Sequence, residues 1–145
     1  MPRVEQSVLV LKPEGFKYRD QVLHLLMVHA FFVCQTKDPS PLTETDVAFL
    51  YPDQRNKRHY ASLVSHLTTG GPSMVLILAK INGCSELKSL LGPKSVVTAR
   101  SQKPRSLRAL FGKTELKNGF HASSKVLNIS LDKNNKIGNI WKYLE

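Results

Sequence analysis

The strongest hydrophobic signal lies near the start of the chain, where Val8-Leu9-Val10-Leu11 leaves no polar position to face water. An aliphatic, β-branched run of this kind predicts a strand from Val4 to Leu11 buried on both faces. Lys12-Pro13-Glu14-Gly15 ends it, because Pro cannot continue a central ladder and Gly permits a turn. From Tyr18 to His29 the period changes: Val22, Leu25, Leu26 and His29 fall on one helical face. Phe31 to Gln35 reads as a second strand. Thr43 with Asp46 three residues on predicts a capping box opening a helix through Leu50, closed by Pro52. A further short helix is expected from Arg58 to Leu67. Ser73 to Ala79 is the clearest strand after the first. Asn82 is placed to cap a helix running to Leu91, which Gly92-Pro93 stops. Residues 93–105 read as a basic loop, Ser106 to Phe111 as a short helix, and Asn118 to Ser123 as a strand. A terminal helix is expected from Ile137 to Leu144. Strands alternating with helices define an α/β or α+β class with a small, mostly antiparallel sheet.

At 145 residues, with 41% hydrophobic and 22% charged side chains, the chain has the composition of one folded domain. Its apolar stretch from Val22 to Val33 is too short and too interrupted by His24 and His29 to span a bilayer. The N-terminus shows no apolar leader, and two cysteines supply no disulfide framework. A reduced, cytoplasmic setting is therefore expected. The net charge of +10 is unevenly spread. Residues 1–72 carry 8 basic and 7 acidic side chains, whereas residues 73–145 carry 13 and 4. A basic half suits an anionic partner, or is a solvated face kept for solubility.

Two phosphate-loop look-alikes fail. Gly112-Lys113-Thr114 has the ending of a P-loop, but Leu107 stands where the first Gly is required, and Gly92-Pro93-Lys94-Ser95 has the wrong spacing. The informative constellation is an ordered set. It comprises Lys12-Pro13-Glu14-Gly15 after a strand, Gly70-Gly71-Pro72 before one, Leu90-Leu91-Gly92-Pro93, Ser106-Leu107-Arg108 and Asn118-Gly119-Phe120-His121-Ala122-Ser123. This series resembles the nucleoside diphosphate kinase family, with its K-P-[DE]-[GA] strand end, T-S-G-P turn, R-x-L-[ML]-G segment, [ST]-[IL]-R helix and N-x-x-H-[GA]-S around a phosphorylated histidine. The resemblance covers residues 5 to about 124 in the same order. The segment from Ser106 to Gly112 is similar to the divergent, cilium-associated branch.

Taken singly, each residue has an ordinary reading. Lys12 would be a strand-end lysine, Arg108 a helix salt-bridge partner, Asn118-Gly119 a turn, and His121 a structural histidine. The resemblance implies more: a ferredoxin-like α+β fold (an α/β sandwich), with a four-stranded antiparallel sheet covered by helices, over a single domain spanning 1–145 and divergent after residue 125. It also implies a ping-pong phosphoryl transfer through a phosphohistidine on His121, with Mg²⁺ bound through the nucleotide phosphates. Lys12 and Arg108 would hold phosphates, Asn118 the sugar, and Tyr60 the base, while Ser123 would support the histidine. The chain departs from the family pattern at four places. Pro52 replaces a Tyr beside the catalytic pair and is expected to redirect the backbone away from its neighbour Tyr51. Lys88 replaces a phosphate-binding Arg, Lys94 replaces a phosphate-binding Thr, and Asp132 stands for the Glu that orients the histidine. The loop from Lys94 to Ser106 is about three residues longer than usual.

Three functions follow: a nucleoside diphosphate kinase, weakened at these positions; a non-catalytic nucleotide- or protein-binding member of the fold, such as an axonemal scaffold component; and a nucleic-acid module using Lys94, Arg100, Lys103, Arg105 and Arg108. The first is preferred and the last is least expected. The implied partners are ATP and nucleoside diphosphates, with a second copy of the chain or cilium- and microtubule-associated proteins beyond them; no membrane partner is expected. The implied location is cytoplasmic, in the cilium or the cytoskeleton.

Overall fold

In a computed structural model, the structure describes residues 3–122. Four strands form one sheet: β1 (Val4–Leu11), β2 (Phe32–Ser40), β3 (Ser73–Ile81) and β4 (Phe120–Ala122), in the order β2-β3-β1-β4 with every neighbouring pair antiparallel. Helices α1 (Pro13–Phe16) and α2 (Arg19–Val28) follow β1. Between β2 and β3 lie α3 (Glu44–Leu50), a 3₁₀ turn (Pro52–Gln54) and α4 (Tyr60–Thr69). After β3 come α5 (Gly83–Leu91), α6 (Val96–Gln102) and α7 (Leu107–Phe111). The order is that of a ferredoxin-like sheet, as the resemblance implies. The segment 137–144 and the site residues Ser123 and Asp132 lie outside the described residues.

The uninterrupted β1 run has its physical explanation in the two layers beside it. Alternate residues of a strand face opposite sides. Val8 and Val10, with Val75 and Ile77 of β3, pack on Leu42, Val47, Leu50, Leu63 and Leu67 of the α3–α4 side. Leu9 and Leu11, with Leu76 and Leu78, pack on Val22, Leu26, Leu87, Leu91, Leu107 and Phe120 on the other side. Each fully buried leucine contributes roughly 1.5–3 kcal/mol. The α3 cap forms as predicted: Asp46 N donates to Thr43 Oγ1 at 3.1 Å and Thr43 N donates to Asp46 Oδ2 at 2.9 Å.

Three expectations change. The basic loop contains α6, capped by Ser95, whose Oγ accepts from Thr98 N at 3.3 Å. Val96 and Ala99 are its buried positions. Asn82 does precede α5, but its backbone is left-handed (φ 55) and its side chain caps nothing; Glu5 Oε1 takes the Cys84 N–H instead, at 3.2 Å. Strand β2 runs on to Ser40 through polar Lys37, Asp38 and Pro39. An edge strand needs no apolar alternation on its exposed faces, and Pro is tolerated there.

Candidate functional site

The site begins where β1 ends. Lys12 follows Val8 and Val10 on the same face, so its side chain enters the α3–α4 side. Its backbone N–H donates to Gly119 O at 2.9 Å, tying the strand end to the turn before β4. A Cβ at Gly15 would collide with that same carbonyl, so only glycine lets the two segments meet. In β4, His121 stands opposite Val10 and therefore shares its face, while Phe120 stands opposite Leu11 and fills the other core layer. Register alone thus brings His121 to the same side as Lys12.

Tyr51 completes the cluster. Lys12 Nζ donates to Tyr51 Oη at 2.9 Å, and the Tyr51 ring meets the His121 ring edge-on, with centroids 5.0 Å apart. The sequence expectation that Pro52 carries the backbone away from the site is therefore wrong. Pro52 opens the 3₁₀ turn as its first residue, where its missing N–H costs nothing, and Tyr51 keeps its place against the lysine and the histidine.

Arg108 comes from α7 and is buried. Nη1 donates to Gly92 O at 2.7 Å and Nη2 to Phe120 O at 3.0 Å, so it clamps the end of α5 to β4. Gly92 has φ 77, and a Cβ there would strike Ser106, so both the turn and the close approach of α7 require glycine. Asn118 Nδ2 donates to Lys94 O at 3.3 Å. Two buried atoms in this cluster have no partner, Arg108 Nε and Asn118 Oδ1. Orphaned buried polar atoms call for an explanation, and a ligand polar group is one.

Four residues of the cluster, Lys12, Tyr51, Lys94 and Asn118, line a cleft of about 570 Å³ together with Gln54, Lys57, His59, Leu63, Glu115 and Leu116; His121 and Arg108 are not themselves in its lining. Its electrostatics are set by desolvated cations. Lys12, only 3% exposed, has its ammonium pKa drawn down to about 7, by burial first and then by Arg108 and Lys94. His121 is half-buried, and burial, with Lys12, Arg108 and Lys94, lowers its pKa to about 3. Burial raises the Tyr51 phenol, with Arg108 opposing. Near neutrality the arrangement therefore holds an uncharged imidazole and an uncharged phenol beside cations able to receive an anion.

Of the residues singled out in the sequence, Lys12, Lys94, Arg108, Asn118 and His121 come together. Lys88 does not: it is exposed on α5, outside the cleft lining, and its charge is felt by Cys84. Tyr60, at the start of α4, packs half-buried against the core layer that carries Leu63 and Leu116, and is not itself among the cleft-lining residues. The residues missed are Tyr51, set aside because of Pro52, and Gln54, Lys57, His59 and Glu115. Proline's tolerance at a first helical position was the available signal for Tyr51; the other four carried none.

Comparison with known proteins agrees with this geometry. The nucleoside diphosphate kinase family profile matches residues 5–136. This chain belongs to the nucleoside diphosphate kinase family. It is 36% identical to human thioredoxin domain-containing protein 3 over 121 residues, covering 82% of this chain and 20% of that protein. It is 27% identical to mouse nucleoside diphosphate kinase homolog 5, covering 83% of this chain and 56% of that one. The chain thus spans about a fifth to just over half the length of these curated relatives. Among solved structures, the Aquifex aeolicus nucleoside diphosphate kinase superposes with a TM-score of 0.75 at 24% identity, covering 86% of this chain and 88% of the other. The Halobacterium salinarum enzyme, solved in complex with CDP, gives 0.73 at 19% identity, covering 83% and 78%. At these identities the superpositions speak for the fold.

Proposed function

We propose that the cleft binds a nucleoside triphosphate as its Mg²⁺ complex and that His121 relays the γ-phosphoryl group to a nucleoside diphosphate. One observation carries this reading: the His121 imidazole is held edge-on against Tyr51, which itself bonds Lys12, with the buried Arg108 and the exposed Lys94 adding positive charge that keeps the ring neutral. A neutral imidazole is a competent nucleophile, and phosphoryl transfer depends on positioning and on positive charge around the oxygens. In the first half-reaction an imidazole nitrogen uses its lone pair to form a bond to the γ-phosphorus. The bond to the bridging oxygen breaks, and the nucleoside diphosphate leaves with that electron pair. In the second, a terminal oxygen of another diphosphate attacks the same phosphorus, and the N–P pair returns to the ring. Lys12 and Lys94 bind phosphate oxygens, and the unpartnered Asn118 Oδ1 accepts a sugar hydroxyl.

The Mg²⁺ belongs to the substrate in this scheme. Among the described residues no three His, Cys, Asp or Glu side chains converge on one point, and phosphate oxygens are the hard ligands that this cation prefers. Transfer is expected to be slower than in enzymes with a phosphate-binding Arg at this position, because Lys88 stands on an exposed helix face outside the cleft and brings no donor to the phosphates. A cytoplasmic or ciliary setting, with microtubule-associated proteins or a second copy of the chain as partners, belongs to the same proposal and rests on the sequence resemblance. Initial rates measured against both nucleotides test the reaction. Parallel double-reciprocal lines, lost in a folded H121A variant, are expected. Turnover that survives H121A would overturn the relay.

A further inference from the structure

The cleft lining mixes two chemistries. Lys12 and Lys94 supply cations, with Tyr51 bonded to Lys12, while Leu63 and Leu116 supply apolar surface and Lys57, His59 and Glu115 polar groups. Leu116 packs against the core layer that holds Leu63 and Tyr60, so the turn that carries Glu115 and the start of α4 border the same part of the cleft. A nucleotide filling the cleft with its phosphates at Lys12 and Lys94 would lay its base against this part. Leu63 and Leu116 belong to or pack on one core layer and offer an apolar surface to a ring face.

We infer that the part of the cleft between this turn and the start of α4 is a guanine-reading site, in which Glu115 accepts from the base and Lys57 donates to it; the inference rests on the nucleotide reading above. Glu115 is the one carboxylate among the described residues lining the cleft. It sits on a turn closed by Lys113 N donating to Lys117 O at 2.8 Å and Lys117 N donating to Thr114 Oγ1 at 3.1 Å. Its neighbour Leu116 is anchored on the core, so the turn is held at the cleft mouth. Lys57 comes from a separate segment, where its N–H donates to Gln54 O at 2.9 Å and its carbonyl accepts from Tyr60 N at 3.1 Å. Among the described residues neither side chain is in an ion pair, so both are available to a ligand.

The pairing logic is specific. An ionised carboxylate only accepts and an ammonium only donates. Guanine presents O6, N1–H and N2–H₂ side by side, one acceptor followed by two donors. Lys57 matches the first and Glu115 takes the other two as a bidentate pair. Adenine and cytosine place an unprotonated ring nitrogen where the carboxylate would sit. Uracil offers one donor between two acceptors. Hypoxanthine keeps O6 and N1–H but lacks the amino group.

Calorimetric titration of the full chain with Mg²⁺ and GDP, IDP or ADP tests this. GDP is expected to bind about tenfold more tightly than IDP or ADP, a modest ratio because Glu115 is exposed. E115Q, and E115A as a second variant, should bring GDP to within about twofold of IDP. K57M should weaken GDP and IDP together and keep their ratio. Circular dichroism verifies that each variant is folded. Equal affinities for the three nucleotides in the natural protein, or a GDP preference that survives E115Q, would overturn the guanine assignment and leave the kinase reading standing. Failure of all three to bind would overturn both.

Discussion

Replacing Lys12 by methionine should make this protein more stable while abolishing its reaction. Lys12 is 3% exposed, and its pKa falls from the ordinary 10.5 to about 7. At about 1.4 kcal/mol per pH unit, that gap is worth about 5 kcal/mol of disfavoured charge. A methionine of similar length keeps the packing of the stem and removes this cost. It forfeits the 2.9 Å bond to Tyr51, which offsets part of the gain. The net gain at pH 7 is about 1–3 kcal/mol, or about 5 °C in Tm for a domain of this size. The sign of the pH dependence follows from proton counting. Between pH 7 and 10.5 the unfolded chain holds the Lys12 proton and the folded chain has released it. The natural protein therefore gains stability as pH rises through that window, and K12M does not. The advantage of K12M should shrink by about 3 kcal/mol between pH 7 and 9.5. Urea unfolding of both proteins, nucleotide-free, at half-unit pH steps measures it. A K12M variant less stable than the natural protein, by a margin that does not vary with pH, would refute the reasoning.

Other outcomes follow from the same geometry. Because burial and three cations hold His121 near pKa 3, its ring should remain neutral by NMR down to about pH 4. The folding stability tied to it should be lost as pH falls from 6.5 towards 3, since the unfolded state then binds the extra proton; a ring titrating near 6.5 would contradict this. Tyr51→Phe should lower kcat/KM about ten- to a hundredfold by removing the acceptor for Lys12, with less than about 2 kcal/mol lost in urea unfolding. Arg108→Lys should cost about 2–4 kcal/mol, because one ammonium cannot serve both Gly92 O and Phe120 O; a loss under about 1 kcal/mol would show that the clamp matters little. Binding of a nucleoside diphosphate should weaken as pH rises above 7, with net proton uptake in calorimetry, because the bound phosphate restores the charge on Lys12.

The parts of this fold legible in the sequence were those governed by strong local rules. The double-sided burial of β1 showed as an unbroken aliphatic run, and the Thr43–Asp46 cap as a spacing. Helix α6 was hidden because Lys94, Arg100, Lys103 and Arg105 give its segment the composition of a loop, while Val96 and Ala99 alone carry its buried face. Glu5 replacing Asn82 as the partner of Cys84 N could not be read locally, since the two are 79 residues apart. The histidine, lysine, arginine and asparagine of the site were legible through an ordered resemblance; register then explains why they meet. Tyr51 was misjudged by weighing Pro52 as a breaker when it is the first residue of a turn. The part of the cleft wall with Lys57 and Glu115 arises from two loops meeting in space, and no spacing in the chain announces it.

The central claim is that His121 carries the phosphoryl group between nucleotides. The most direct test incubates the full chain with Mg²⁺ and γ-labelled ATP and asks for protein-bound label that is stable to base and labile to acid. The account predicts that label on His121, its absence in H121A, and its transfer to an added nucleoside diphosphate. Folded protein that binds the nucleotide and acquires no label would contradict it, and would leave a nucleoside diphosphate kinase fold used for binding alone.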